Sequence, residues 1–293
     1  MTDKPRSSEV MRSGREFTDP RAEKKKPHSF LRAIRAEEES TGRVCPASGC
    51  WINILNPLVG ELAGLCGYDY AMIDMEHSPT SLESVQHMIR AVQLGGARAL
   101  VRAPDKQSVW LGKLMDMGAD GVMVPMVNTA AEAHRLAEAT RYAPEGTRGM
   151  AAGIVRASAY GVELDYHLQH YRDDFLLMVQ IETREAVAES AEIAAVDDID
   201  CIFIGPFDLS ASLGHLAQPD HDDTRAAILQ VCENVENTDT LLSTLTTAGC
   251  DAQYLFESGF DLVFSGMDIP MLKHSMSKDA AHSRDIITKL KSQ

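Results

Sequence analysis

Short apolar runs alternate with helically periodic stretches along most of this 293-residue chain, and that alternation leaves few folds open. The candidate strands are Gly49–Asn53, Tyr70–Asp74, Arg98–Arg102, Gly121–Val124, Leu176–Ile181, Asp200–Ile204, Leu241–Thr246 and Phe260–Phe264. Between the second and third, Leu82, Val85, Met88, Ile89 and Val92 fall on one helix face. Thr80 and Glu83 read as a capping box before that helix, and Gly95-Gly96 as its end. Thr129 and Glu132 read as a second box, opening the helix after strand four. Eight strand-then-helix units predict a parallel (β/α)8 TIM barrel. A doubly wound sheet is the alternative, but it would normally carry a glycine-rich phosphate loop after an early strand. No G-x-G-x-x-G or Walker sequence is present. The seventh strand is the least apolar, diluted by Ser243, Thr244, Thr246 and Thr247.

Residues 1–28 stand apart: rich in Arg, Lys, Ser and Pro, they read as a polar N-terminal arm. Residues 29–293 then form a single barrel domain with a C-terminal helix. The net charge is −15, which argues against nucleic acid or an anionic membrane surface as partner. An acidic substrate would need local positive groups to hold it. The six cysteines are scattered, with no C-x-x-C pair, and read as reduced thiols of a cytoplasmic protein. There is no 18-residue apolar run and no signal-peptide core.

Chemistry in such a barrel belongs at the C-terminal ends of the strands. Strand two ends in Asp74-Met75-Glu76-His77, strand three in Arg102, strand five in Gln180-Ile181-Glu182, and strand six runs into Gly205-Pro206-Phe207-Asp208. Glu182 and Asp208 on adjacent strands suit a hard divalent ion, Mg²⁺, Mn²⁺ or Co²⁺. Equally, Glu182 could cap the following helix while Asp208 shapes a turn. Arg102 could grip a substrate carboxylate or pair with a neighbouring acid. His77 could act as general base or organise a metal-bound water, with Asp74 orienting its ring. No lysine ends a strand, so a Schiff-base route lacks its nucleophile. His87, His134, His167, His170, His215 and His221 fall on helices or long loops and read as solvated.

These segments resemble the HpcH/HpaI aldolase family, the class II pyruvate aldolases. The stretches that carry the resemblance are Ile73-Asp74-Met75-Glu76-His77-Ser78-Pro79, Val101-Arg102-Ala103-Pro104, Leu114-Met115-Asp116-Met117-Gly118 and Val124-Pro125-Met126-Val127. They continue with Arg141-Tyr142-Ala143-Pro144-Glu145-Gly146-Thr147-Arg148-Gly149, Gln180-Ile181-Glu182-Thr183-Arg184-Glu185 and Ile204-Gly205-Pro206-Phe207-Asp208-Leu209-Ser210. The order is that of the family, over about residues 47–275. The resemblance implies a barrel of the phosphoenolpyruvate/pyruvate type, a metal on Glu182 and Asp208, and Arg102 on the carboxylate or ketone of a 2-oxo acid. It implies His77 in acid–base work with Asp74 or Asp116 behind it, Gln180 beside the metal, and the backbone of Gly205, Pro206 and Phe207 on the substrate carboxylate. It also implies a homo-oligomer, a hexamer built as a dimer of trimers with exchanged C-terminal helices.

One branch of the family shares the polar arm and places a tyrosine against a second substrate where Tyr166 stands here. The implied activity is a metal-dependent lyase that makes a pyruvate enolate, by oxaloacetate decarboxylation or by aldol cleavage of 4-hydroxy-2-oxo acids. Such an enolate could also add to a second substrate. An acyl-CoA lyase and a non-catalytic binding barrel are the rival readings. The seventh strand, the loop Gly214–Asp223 and the stretch Glu233–Thr240 depart from the family pattern.

Overall fold

The computed structural model describes residues 46–292, so the arm expected over residues 1–28 and the start of the domain lie outside the described residues. Eight parallel strands close into a barrel in sequence order, β1 to β8, with β8 pairing back onto β1. They are β1 Ala47–Ile52, β2 Tyr70–Asp74, β3 Arg98–Arg102, β4 Gly121–Val124, β5 Leu176–Ile181, β6 Cys201–Ile204, β7 Leu241–Leu245 and β8 Leu262–Met267. The expected strands hold, with β8 running three residues further toward the mouth than its apolar run suggests. A register shift between Gly49 and Cys50 accommodates that strand at the seam.

The helices are α1 Pro57–Leu65, α2 Leu82–Gly95, α3 Val109–Asp116, α4 Ala130–Thr140, α5 Leu164–His170, α6 Arg184–Ala188, α7 Ser190–Ala194, α8 Pro206–Ser212, α9 Asp222–Val235, α10 Ala252–Glu257 and α11 Asp268–Lys291. Helix α2 buries Val85, Met88, Ile89 and Val92, as its periodicity requires. Its cap is Ser81 rather than Thr80: the Ser81 hydroxyl accepts the Ser84 backbone N–H at 3.2 Å. Gly96 ends the helix at φ 99, a left-handed turn that costs a glycine little. Helix α4 starts on Thr129 as expected, and Glu132 reaches back to the Asn128 N–H at 2.8 Å.

Period-two alternation sorts each strand into two cores. Tyr70 and Met72, Leu100, Met123, Leu176 and Met178, Phe203, Leu262 and Phe264 fill the barrel interior. Ala71, Ile73, Ala99, Val101, Val122, Leu177, Val179 and Ile202 face the helices. Continuing the inward series by two residues brings Asp74, Arg102 and Gln180 to the top of the interior, and two more along β5 bring Glu182, where the barrel opens. The seam is fastened by Asp268 at the start of α11. Its buried carboxylate accepts the backbone N–H of Asn53 at 3.0 Å and of Ile54 at 2.7 Å, just past β1.

Candidate active site at the barrel mouth

A cavity of about 230 Å³ opens at the C-terminal ends of the strands. Asn53, Asp74, His77, Arg102, Gln180 and Asp208 line it, together with Gly205, Pro206, Phe207 and the apolar side chains Trp51, Phe203, Leu245 and Met267. Most of the expected site residues are therefore gathered in one place.

Asp74 sits at the centre, fully buried. Arg102 grips it with two hydrogen bonds, Nε to Oδ1 at 2.9 Å and Nη2 to Oδ2 at 2.7 Å. Asn53 Nδ2 adds a third at 2.7 Å and Trp51 Nε1 a fourth at 3.3 Å. The backbone N–H groups of Glu76 and His77 donate at 3.0 and 3.3 Å. Burial opposes ionisation of this carboxyl, but the Arg102 bonds and charge outweigh it, and Asp74 stays below the usual carboxylate range. The expectation that Asp74 orients the His77 ring is corrected: the carboxylate is filled by other donors and takes only the His77 backbone. The imidazole stands out toward solvent, with its side chain 63% exposed and Nε2 4.0 Å from Glu76.

Arg102 is likewise spoken for. Beyond Asp74, its Nη1 lies 2.9 Å from Glu76 Oε2, and its guanidinium carbon lies 4.6 Å from the Trp51 ring centre. The buried ion pair and a substrate grip were alternatives in the sequence. The structure shows the ion pair, which leaves only the unshared Nη protons for a ligand. Glu76 was given no role in the sequence reading. Burial, first, then Asp74 and Asp208 push its carboxyl up, against the pull of Arg102 and His77.

Glu182 is buried at the top of β5. Its Oε1 accepts the Met126 backbone N–H at 2.7 Å, and its Oε2 is held by Gln180 Nε2. Met126 offers that N–H from a left-handed conformation, φ 57, which is strained for a residue with a side chain. Burial pushes the Glu182 carboxyl up to about 7, with Asp208 and Glu76 adding repulsion. Four carboxylates thus share the mouth with one guanidinium, a donor set that a divalent cation would neutralise. The packing fits as well. A Cβ on Gly205 would come 2.9 Å from Gln180 Nε2 and 3.1 Å from Glu182 Oε2, so only glycine lets this loop lie against the pair. The buried Gln180 Oε1 has no hydrogen-bond partner, an acceptor left over beside the two acids. The helix-cap reading of Glu182 falls away, because Thr183 caps α6 through its own hydroxyl.

Two expected site residues lie elsewhere in this chain. Asp116 closes α3 at the opposite end of the barrel, because a helix that follows a strand runs back toward the strands' beginnings. There it pairs with Arg148 at 2.8 Å. Tyr166 lines a second cavity of about 860 Å³ at that same end, with Arg148, Arg156 and His167. His167 was read as solvated but is buried, 3.1 Å from the Tyr142 hydroxyl, and burial holds its pKa down.

A closed parallel barrel with its acids, arginine and histidine converging on one mouth defines a (β/α)8-barrel enzyme. The chain belongs to the HpcH/HpaI aldolase/citrate lyase family, whose model matches residues 47–275, and is a lyase of the aldolase kind. A hydroxypyruvate/pyruvate aldolase of Cupriavidus necator is 35% identical over 237 residues, covering 81% of this chain and 88% of that protein. A family protein of Burkholderia cenocepacia has a solved structure with TM-score 0.77 at 30% identity, covering 82% of this chain and 95% of that one. Macrophomate synthase shares the fold at TM-score 0.77 and 21% identity, over 89% of this chain and 91% of that one.

Proposed function

We propose that this chain is a divalent-metal-dependent carbon–carbon lyase that forms a pyruvate enolate from a small 2-oxo acid. The route is retro-aldol cleavage of 4-hydroxy-2-oxo acids, decarboxylation of oxaloacetate, or both. The observation that carries the reading is the buried Glu182 carboxyl, pushed up to about 7 among Asp208 and Glu76 in a mouth where the one guanidinium among the described lining residues is already shared. The aldolase activity in the names of relatives such as the Cupriavidus necator protein supports it.

Glu182 and Asp208 would hold the ion, Mg²⁺ or alternatively Mn²⁺ or Co²⁺. When bound, such an ion supplies a Lewis-acid sink for the negative charge that develops on the ketone oxygen, worth several kcal/mol. The chain's own residues do the rest. Gln180 fixes one Glu182 oxygen and Met126 the other, so the carboxylate keeps one orientation. The unshared Nη protons of Arg102 meet the substrate carboxylate or ketone, with Asp74 and Trp51 fixing the guanidinium plane. The Gly205–Asp208 turn receives the carboxylate. His77, exposed at the rim, gives or takes the proton on the hydroxyl of the departing or arriving carbonyl compound. The apolar wall of Trp51, Phe203, Leu245 and Met267 keeps water from the carbanion carbon.

The test is pyruvate release from oxaloacetate and from 4-hydroxy-2-oxo acids, with and without EDTA. Turnover should stop with EDTA and return with Mg²⁺, and Glu182→Gln should lose at least about 10²-fold. Metal-independent turnover, or full activity in Glu182→Gln, would sink the proposal. Calorimetry with Mg²⁺ and oxalate separates an enzyme from a barrel kept only as a scaffold, which should show no metal-dependent oxalate binding.

We further propose a cytoplasmic homo-oligomer, a hexamer. The free cysteines Cys50, Cys66, Cys201, Cys232 and Cys250 support a reducing compartment. Among the described residues no helix is long and apolar enough to cross a membrane. Helix α11 supports the oligomer: 24 residues long, it buries only Asp268 and leaves Met271, Leu272, Met276, Ile286, Ile287 and Leu290 exposed. Asp116 and Tyr166 would enter the chemistry only from a second copy, since their own mouth lies at the other end of the barrel.

A further inference from the structure

The loop Gly214–Asp223, one of the stretches that departs from the family pattern, leads from α8 to α9 along the rim of the mouth. It carries three side chains that the proposed chemistry does not use. His215 Nε2 lies 2.7 Å from Asp223 Oδ2, and His221 Nδ1 lies 3.8 Å from the same oxygen. The two imidazoles stack, with centroids 3.5 Å apart and planes 13° from parallel. One ligand atom from each of the three falls within 4.8 Å of the others. Among the described residues no other group of three His, Cys, Asp or Glu side chains comes so close together.

We propose that His215, His221 and Asp223 form a second cation site, separate from the Glu182–Asp208 pair, that takes a first-row transition ion of the Zn²⁺ type. The donor set selects the ion. Two imidazoles and one carboxylate suit Zn²⁺, Co²⁺ or Ni²⁺, whereas the all-carboxylate mouth suits Mg²⁺ or Mn²⁺. The frame is already ordered. His221 is the N-cap of α9 and Asp223 stands in its first turn. The His215 N–H donates to the Ser210 carbonyl at 2.8 Å, Gln218 N–H to the His215 carbonyl at 3.0 Å, and His221 N–H to the Gln218 carbonyl at 3.0 Å. A loop held in this way loses little entropy on binding.

The distances require only a small closure. Ligand atoms around tetrahedral zinc stand about 3.3 Å apart. The stacked rings lie in nearly parallel planes, so bringing both nitrogens onto one ion requires an imidazole to turn about χ2, a broad torsion with no deep well. Both histidine side chains are partly exposed, which leaves room for that turn and for a water as fourth ligand. The ion replaces the His215–Asp223 hydrogen bond, and any proton shared there leaves to solvent, so affinity falls as pH is lowered. His221 Nδ1 also gives up its long contact with the Asp223 N–H, which water can take over at this exposed helix start. Asp220 is not part of the set: it is held by Thr247 and by the Gly249 N–H. A bound ion would fasten the end of the α8 loop, seven residues beyond Asp208, to the first turn of α9.

The experiment uses Co²⁺ as a visible stand-in for Zn²⁺, on the full chain with Mg²⁺ in excess. Expected is about one Co²⁺ per chain with the strong visible bands of a four-coordinate ion, abolished by Zn²⁺ and lost in His215→Gln and Asp223→Asn. Glu182→Gln should keep those bands, which separates this site from the proposed mouth site and makes the result independent of lyase activity. Thermal melts without added metal check that the variants fold. Should either variant fail to fold, displacement of the Co²⁺ bands by Zn²⁺ in the wild-type and Glu182→Gln proteins decides alone. Absence of four-coordinate bands in the wild type, their loss in Glu182→Gln, or their survival in a folded His215→Gln would each overturn the proposal.

Discussion

At the scale of single residues, Asp74 explains why the mouth holds its shape. Six donors converge on its two oxygens, from Arg102, Asn53, Trp51 and the backbone of Glu76 and His77. That makes it a positioning group for Arg102 rather than a proton carrier. Arg102→Ala should therefore fail twice. It should lose about 10²-fold in kcat/KM for carboxylate substrates. It should also cost about 3–5 kcal/mol of stability, because Asp74 would keep a buried, unpaired charge. Denaturant titration beside steady-state kinetics reads both, and unchanged kinetics would remove Arg102 from the site. The sign of the pH effect follows from the depressed Asp74 carboxyl. Its contribution is present above the ordinary carboxyl pKa of about 3.9 and is lost as pH falls through its lower folded value. Urea midpoints measured from pH 6 downward should fall steeply in the wild type and less steeply in Asp74→Asn. Equal slopes would mean that Asp74 is not the group being titrated.

At the scale of elements, helix α4 offers the cleanest check on local design. The Thr129 hydroxyl caps its first turn through the Glu132 N–H, and Glu132 returns the bond to Asn128. Thr129→Ala should cost about 1 kcal/mol in a chemical melt with little change in kcat, and a neutral result would show that the cap is replaceable. Elements of this kind were readable in advance because strands and helices here follow their own periods closely. The polar β7 still forms, since Ser243 and Thr244 are buried and the Thr244 hydroxyl finds the Ile204 carbonyl at 2.9 Å. The cap of α2 falls on Ser81 rather than Thr80, a difference hidden in the sequence because two adjacent hydroxyls give the same signal. The mouth was legible wherever a polar residue continued an inward series, as with Arg102 and Gln180. Trp51 is not legible because an apolar strand end looks structural, Asn53 because a lone uncharged amide past β1 signals no chemistry even where it continues the inward series, and the placing of Glu76 depends on where Arg102 points. Asp116 could have been assigned to the far end of the barrel from topology alone, since it closes a helix rather than a strand. The burial of His167 depends on tertiary packing that no local pattern records.

At the scale of the whole molecule, the barrel is closed and its helices cover the strands, yet α11 stands largely uncovered. Light scattering should show one hexameric species, and Met276→Lys with Leu272→Lys should shift it toward smaller ones while the far-ultraviolet spectrum is kept. A monomeric wild type would end the oligomer proposal and leave the lyase proposal standing. The way α11 leaves the barrel is decided at its root, where Asp268 binds the chain just past β1. A helix of 24 residues is a lever about 36 Å long. An error of roughly 10° at its base moves its tip by about 6 Å, more than the width of a methyl group. One carboxylate at the seam thus acts as a hinge pin for the longest of the described helices, and the tolerance of that joint would set how accurately copies meet in the proposed oligomer.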